Sequence, residues 1–160
     1  MLLLIQIAVY CVLYTVMVAA LAHGNALNVL YFYPKPAQER AFELGLANRE
    51  DVKKKRAVFL IVFPLFMLVS IVLMVGLWSG TGEFWQAYWR LLLILVAGNW
   101  YDGIVIDRLW VGHSKFWVIP GLEGIPFVKP WGFVLKSRTV STLAYVVLAA
   151  LPAGICALLF

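Results

Sequence analysis

From Ala57 to Trp78 the chain runs for 22 residues without a single charge. As a helix rising about 1.5 Å per residue, such a run is about 33 Å long, which matches the hydrocarbon core of a bilayer. Pro64 near its start is tolerable in a membrane helix, where neighbouring helices satisfy the freed carbonyl. This run fixes the setting in which the rest of the chain is read.

Three further runs share its character. Leu2 to Leu21 is interrupted only by Gln6 and Thr15, and Val140 to Phe160 is free of charge, with Pro152 expected to kink it. Phe84 to Ile106 is less pure, because Arg90 lies near one end and Asp102 near the other, yet Leu91 to Ala97 is continuously apolar. Ala20-Leu21-Ala22 resembles a signal-peptidase site, but no basic stretch precedes the first run, so it is read as a retained span. With 64% hydrophobic residues, the composition exceeds what a soluble core needs. The expected fold is an all-α polytopic transmembrane bundle of about four helices, a single domain over residues 1–160.

Seven lysines and arginines fall between residues 23 and 56 and five between 107 and 139, while the turn from Ser79 to Glu83 has none. Short basic loops stay in the cytoplasm, so both termini are expected outside it, as in a bacterial inner-membrane protein. Trp78, Trp85 and Trp89 bracket the outer turn, and Trp110, Trp117 and Trp131 are expected at the inner interface. The net charge of +5 lies beside the apolar runs, where lipid headgroups account for it without nucleic acid.

Tyr33-Pro34-Lys35-Pro36 breaks the chain after the first span, and Ala37 to Arg56 has the composition of a short cytoplasmic helix feeding the second. Between the third and fourth spans, Phe116, Trp117, Ile119, Phe127, Trp131 and Phe133 alternate with glycines, prolines and lysines. Such a segment is too broken to cross, and it is expected to lie in the headgroup layer.

The densest polar stretch is Asn99 to Arg108. A carboxylate inside a span costs about 2.5–3.5 kcal/mol at the bilayer centre and less toward the interface, so Asp102 needs a partner or a watery cavity. At about 100° per residue, Asn99 and Asp102 stand about 60° apart on a straight α-helix, whereas Asp102 and Asp107 are separated by about 140°. Asn99 and Asp102 are therefore expected to face the bundle together, with Asp107 at the interface beside Arg108, His113 and Lys115. One reading makes Asp102 a helix clamp bonded to Tyr10, Tyr14, Gln6, Asn25 or Asn28. The other makes Asn99, Tyr101, Asp102, Asp107, Arg108, His113 and Lys115 a ligand site. His23, Asn25 and Asn28 follow the first span and are expected near the same end of the third.

Metal, cofactor and nucleophile signals are absent. Only His23 and His113 occur, with no ligand spacing, and Cys11 and Cys156 sit inside apolar runs as small fillers. Ser114 adjoins His113, but adjacent residues do not face each other on a helix. Gly76, Gly98 and Gly103 are candidates for close helix contact.

Tyr101-Asp102, Val105-Ile106-Asp107, Leu109-Trp110 and Trp117-Val118-Ile119-Pro120-Gly121 with Glu123 resemble a pattern in an uncharacterised family of small bacterial polytopic membrane proteins. That resemblance implies a recurring aspartate site at the inner face and no particular reaction. Glu39-Arg40 opens like the glutathione-contact pattern of the eicosanoid and glutathione membrane enzymes. Glu43 and Asn48 then depart from that pattern, and the whole stretch precedes the second span. Three function classes follow: a protein binding a lipid or other small amphiphile near the inner leaflet, an enzyme acting on a lipid headgroup or isoprenoid, and an accessory subunit or transporter protomer. In the enzyme reading Asp102 or Asp107 is the general base, and His113 or Lys115 holds an anionic group. The expected partners are membrane lipids, with a homo-oligomer or larger membrane complex as a further possibility.

Overall fold

The computed structural model describes Met1–Phe160 as an all-α chain without strands. Four helices are long and apolar enough to span a membrane: α1 (Leu2–Ala22), α3 (Arg49–Trp78), α4 (Phe84–His113) and α5 (Trp131–Leu159). A short helix, α2 (Lys35–Glu43), lies between the first two. Leu4, Val12, Val16, Leu60, Ile61, Leu143, Val147 and Leu151 point outward and are exposed, which is the apolar exterior that acyl chains require.

Three of the helices are longer than their apolar runs. The second begins at Arg49 instead of Ala57: the Asn48 side chain accepts the Glu50 backbone N–H at 2.8 Å, and Glu50 and Asp51 occupy the first turn. The single helix expected over Ala37 to Arg56 is accordingly two, divided by a turn in which Gly45 has φ 69°. The third continues past Ile106 to His113. The fourth begins at Trp131 rather than Val140, after Pro130, so Trp131 and Phe133 belong to a helix and not to the expected interfacial segment. That segment is reduced to residues 114–130, with one 3₁₀ turn at Lys115–Trp117. Helical hydrogen bonding in α5 is interrupted at Ala149, within a turn of Pro152.

Side-chain contacts fix the topology as up-down-up-down. On α1 and α4, Tyr10 meets Gly98 and Thr15 bonds to Tyr101, so these helices run parallel. The Gln6 amide donates to the Met74 carbonyl at 2.9 Å and to the Ser79 hydroxyl at 2.7 Å, placing the start of α1 beside the end of α3. On α4 and α5, Tyr88 donates to the Val146 carbonyl and Asn99 to the Arg138 carbonyl, an antiparallel pair. Phe160 returns to the same end, its ring over Gly76 and its backbone over Gly82. The most buried of the four helices is α4.

Two apolar clusters fill the bundle. Tyr10, Met67, Ile71, Val75, Leu91, Ile94, Ala153 and Cys156 form the one toward the turn Ser79–Glu83. The other, toward the basic loops, combines Val18, Ala22, Val29, Leu30, Ile106, Trp117, Ile119 and Leu122. Tyr14 and Phe63 touch both clusters, and the charged groups of the chain's interior sit at that level. Trp78, Trp85 and Trp89 are exposed at the first end, whereas Trp117 is 3% exposed, a core residue and not an interfacial one.

Candidate functional site

The geometry of the site turns on a change of helix type. From Asp102 to Trp110, α4 is a π-helix. A π-helix closes its hydrogen bonds from i to i+5, so residues five apart return to one face. Asp102 and Asp107 are five apart. The 140° separation expected on a straight α-helix therefore does not hold, and the two carboxylates share a face.

That face meets Arg138 of α5. One guanidinium nitrogen, Nη2, lies 2.6 Å from Asp102 Oδ2 and 2.7 Å from Asp107 Oδ2. Lys129 closes the other side of Asp107, its Nζ 2.9 and 3.0 Å from the two oxygens. The Tyr14 hydroxyl faces Asp102 from α1. Asp102, Asp107 and Arg138 side chains are 14–15% exposed, and Lys129 is 36% exposed. Two cations thus balance two anions, so the group as a whole is neutral where a lone carboxylate would be costly.

Neighbouring residues hold these charges in place. Asn99 donates from Nδ2 to the Arg138 carbonyl at 2.8 Å and to Thr142 Oγ1 at 3.1 Å, tying α4 to the turn that carries Arg138. Gly103 makes room for the guanidinium: a Cβ there would fall 2.8 Å from Arg138 Nε and 2.9 Å from its Cγ. Arg108 donates to the Lys129 carbonyl at 2.8 Å, and its guanidinium lies 4.7 Å from the centre of the Trp131 ring. It fixes the end of the connection from which Lys129 reaches inward.

A cavity of about 110 Å³ opens beside the carboxylates. Ten of its thirteen lining residues are hydrophobic, and the only charged ones are Asp102, Asp107 and Lys129. Its walls come from α1 (Tyr14, Val18), α3 (Phe59, Phe63), α4 (Ile106, Val111) and the two connections on the basic side (Phe32, Tyr33, Trp117, Phe127). Tyr33 donates to the Trp117 carbonyl at 2.6 Å and so fastens one connection to the other, and burial pushes its pKa up to about 12. The Trp117 indole N–H is buried and has no partner. An apolar chamber with a few convergent polar groups is the usual form of a small-molecule site.

Of the seven expected site residues, the structure brings Asn99, Asp102 and Asp107 into one network and Arg108 into its support. Tyr101 faces the other way, its hydroxyl 2.7 Å from Thr15 Oγ1. His113 is exposed and its Nδ1 contacts the Arg108 and Leu109 carbonyls, and Lys115 is exposed beyond it, so neither lines the cavity. Among the expected clamp partners only Tyr14 meets Asp102: Gln6 serves α3, Asn25 caps Leu27, and Asn28 bonds to Ala22 and Lys55. Those asparagines therefore serve the first connection and the start of α3. Arg138 and Lys129, counted in the sequence only as loop charges, are the principal partners of the carboxylates. The signal that finds them is the cost of an intramembrane carboxylate, which calls for a cation near the same depth. No family model, curated protein or solved structure matches the chain, so the functional reading rests on this geometry alone.

Proposed function

We propose that the chain is an integral protein of a bacterial inner membrane, both termini outside the cytoplasm, whose polar site at the inner leaflet binds a lipid or other small amphiphile. The observation that carries this reading is the cavity itself: mostly aromatic and aliphatic walls with Asp102, Asp107 and Lys129 gathered at one side. An amphiphile has the same division between tail and headgroup. At about 110 Å³ the space is smaller than the 150 Å³ engineered cavity known to hold benzene, so it suits a headgroup and its first carbons, with the tail left among the lipids.

Photolabelling with a diazirine lipid probe in nanodiscs tests the reading. Label is expected on peptides bearing Phe59, Phe63 or Trp117, and Asp102→Asn is expected to reduce it. Unchanged labelling in Asp102→Asn, together with purified protein that carries no amphiphile, overturns the proposal. The enzyme reading has less support, because the groups assigned to hold an anion, His113 and Lys115, stand outside the cavity that the two carboxylates line. The oligomeric and accessory readings draw on the exposed apolar helix faces, which lipid alone also explains.

A further inference from the structure

We infer that the cavity selects an ammonium headgroup, and that Lys129 is a tethered ammonium occupying that subsite until a ligand displaces it. The inference rests on the amphiphile reading above and narrows it to one headgroup chemistry.

Three observations carry it. First, apart from Lys129 itself, the charge presented to the cavity is negative, because Asp102 and Asp107 line it while Arg138, which bridges them, does not. Secondly, aromatic rings make up much of the wall: Tyr14, Phe59, Phe63, Trp117 and Phe127 among others. Ring faces attract ammonium groups, and aromatic cages are the common solution for binding them. Thirdly, an ammonium is already seated there, with Lys129 Nζ on both oxygens of Asp107.

Lys129 is suited to leaving. It comes from the irregular stretch between α4 and α5, its side chain is one-third exposed, and its flexible stem can return the charge to water. Its backbone stays anchored through the Arg108 bond to its carbonyl. Exchanging one ammonium for another keeps the buried group neutral. An anionic headgroup would instead draw Lys129 off Asp107 and leave an excess negative charge in a poorly solvated place, an unfavourable exchange. The ligand is thus an ammonium-headed amphiphile, either a bilayer lipid such as one with an ethanolamine headgroup or a single-chain amine.

Native mass spectrometry of the full chain released from dodecyl maltoside micelles reads this directly as one-to-one adducts. Dodecylammonium, dodecyl sulfate and dodecanol share a tail and differ only in headgroup. Dodecylammonium is expected to bind in preference to the other two. Lys129→Gln, which removes the internal competitor, is expected to tighten it several-fold, whereas Lys136→Gln on the exposed side of α5 leaves it unchanged. Asp107→Asn is expected to weaken it by about tenfold or more, the loss of one charge-assisted contact. Phosphatidylethanolamine in a fourth arm separates the sources, binding as well as dodecylammonium if the ligand is a bilayer lipid and poorly if it is a free amine. Preference for the sulfate or the alcohol, lowered by Asp107→Asn, overturns the ammonium assignment and leaves amphiphile binding standing. Equal affinity in Lys129→Gln and the parent overturns the role given to Lys129, and the absence of any adduct overturns both readings.

Discussion

Replacing Arg138 by Met tests the electrostatic account of the bundle most directly. A single nitrogen of Arg138 lies 2.6 Å from Asp102 and 2.7 Å from Asp107, so the two carboxylate oxygens it separates are about 5 Å apart at most. Without the guanidinium they repel. At about 5 Å and an effective dielectric of about 20, two unit charges interact by about 3 kcal/mol, at the lower end of the about 3–5 kcal/mol lost when one partner of a buried ion pair is removed. Methionine keeps the length and apolar volume of the stem, so little of the loss comes from packing. Reversible unfolding by SDS in mixed micelles, followed by tryptophan fluorescence, is expected to place Arg138→Met about 3 kcal/mol below the parent. Adding Asp102→Asn removes the repulsion and is expected to recover most of that loss, while Lys129 continues to serve Asp107. Stability within about 0.5 kcal/mol of the parent for Arg138→Met, or no recovery in the double variant, would refute the reasoning, since ordinary surface changes fall in that range.

Three further substitutions address the packing and titration around this group. Gly103→Ala places a Cβ 2.8 Å from Arg138 Nε, and the over-packing cost of about 1–3 kcal/mol outweighs the gain of about 1 kcal/mol in helix propensity, so a net loss is expected in the same unfolding assay. Gly98→Ala brings a Cβ 2.6 Å from the Tyr10 ring and is expected to destabilise by a similar amount, with partial recovery when Tyr10→Leu is added. For Tyr33 the folded-state pKa of about 12 lies above the ordinary tyrosine value of about 10, so the folded chain holds the proton more tightly. Its contribution is whole below pH 10 and fades as pH rises through 12, by at most about 3 kcal/mol. The difference between parent and Tyr33→Phe stability, measured from pH 9 to 12, is expected to shrink across that window.

How far the fold is legible in the sequence depends on which forces set each feature. Span number and order follow from apolar runs and basic loops, because insertion into lipid acts on local composition. Helix ends do not, since Asn48 caps a first turn in polar sequence that hydropathy treats as loop, and α5 opens after Pro130, ahead of Lys136 and Arg138, which interrupt its apolar run. Asn99 and Asp102 were legible as inward-facing residues, because a polar side chain within a span has few tolerable directions. Arg138 was not: its neighbours Lys136 and Thr139 are exposed, and only the contact with α4 distinguishes it from them. Trp117 is buried for the same kind of reason, since it packs with Val18, Leu30 and Tyr33 from segments distant in the chain.

The pairing of Asp102 with Asp107 depends on backbone that no residue count reveals, and that dependence can be tested by changing the count. On the π segment the two acids are five residues apart and share a face. Deleting Ile104, an exposed residue between them, makes them four apart, and residues four apart share a face on an ordinary α-helix. The deletion is therefore expected to convert the segment to α-helix and still deliver both carboxylates to Arg138, with stability near that of the parent. Inserting one alanine after Ile104 makes them six apart, about 120° from a common face at about 100° per residue in an α-helix, so one acid is left without its guanidinium. That variant is expected to lose about as much as Arg138→Met. Unfolding measurements on the pair decide the matter: a deletion as damaging as the insertion would mean that the π-helical turn does more than bring the acids together, and that its own shape is needed by the cavity beside it.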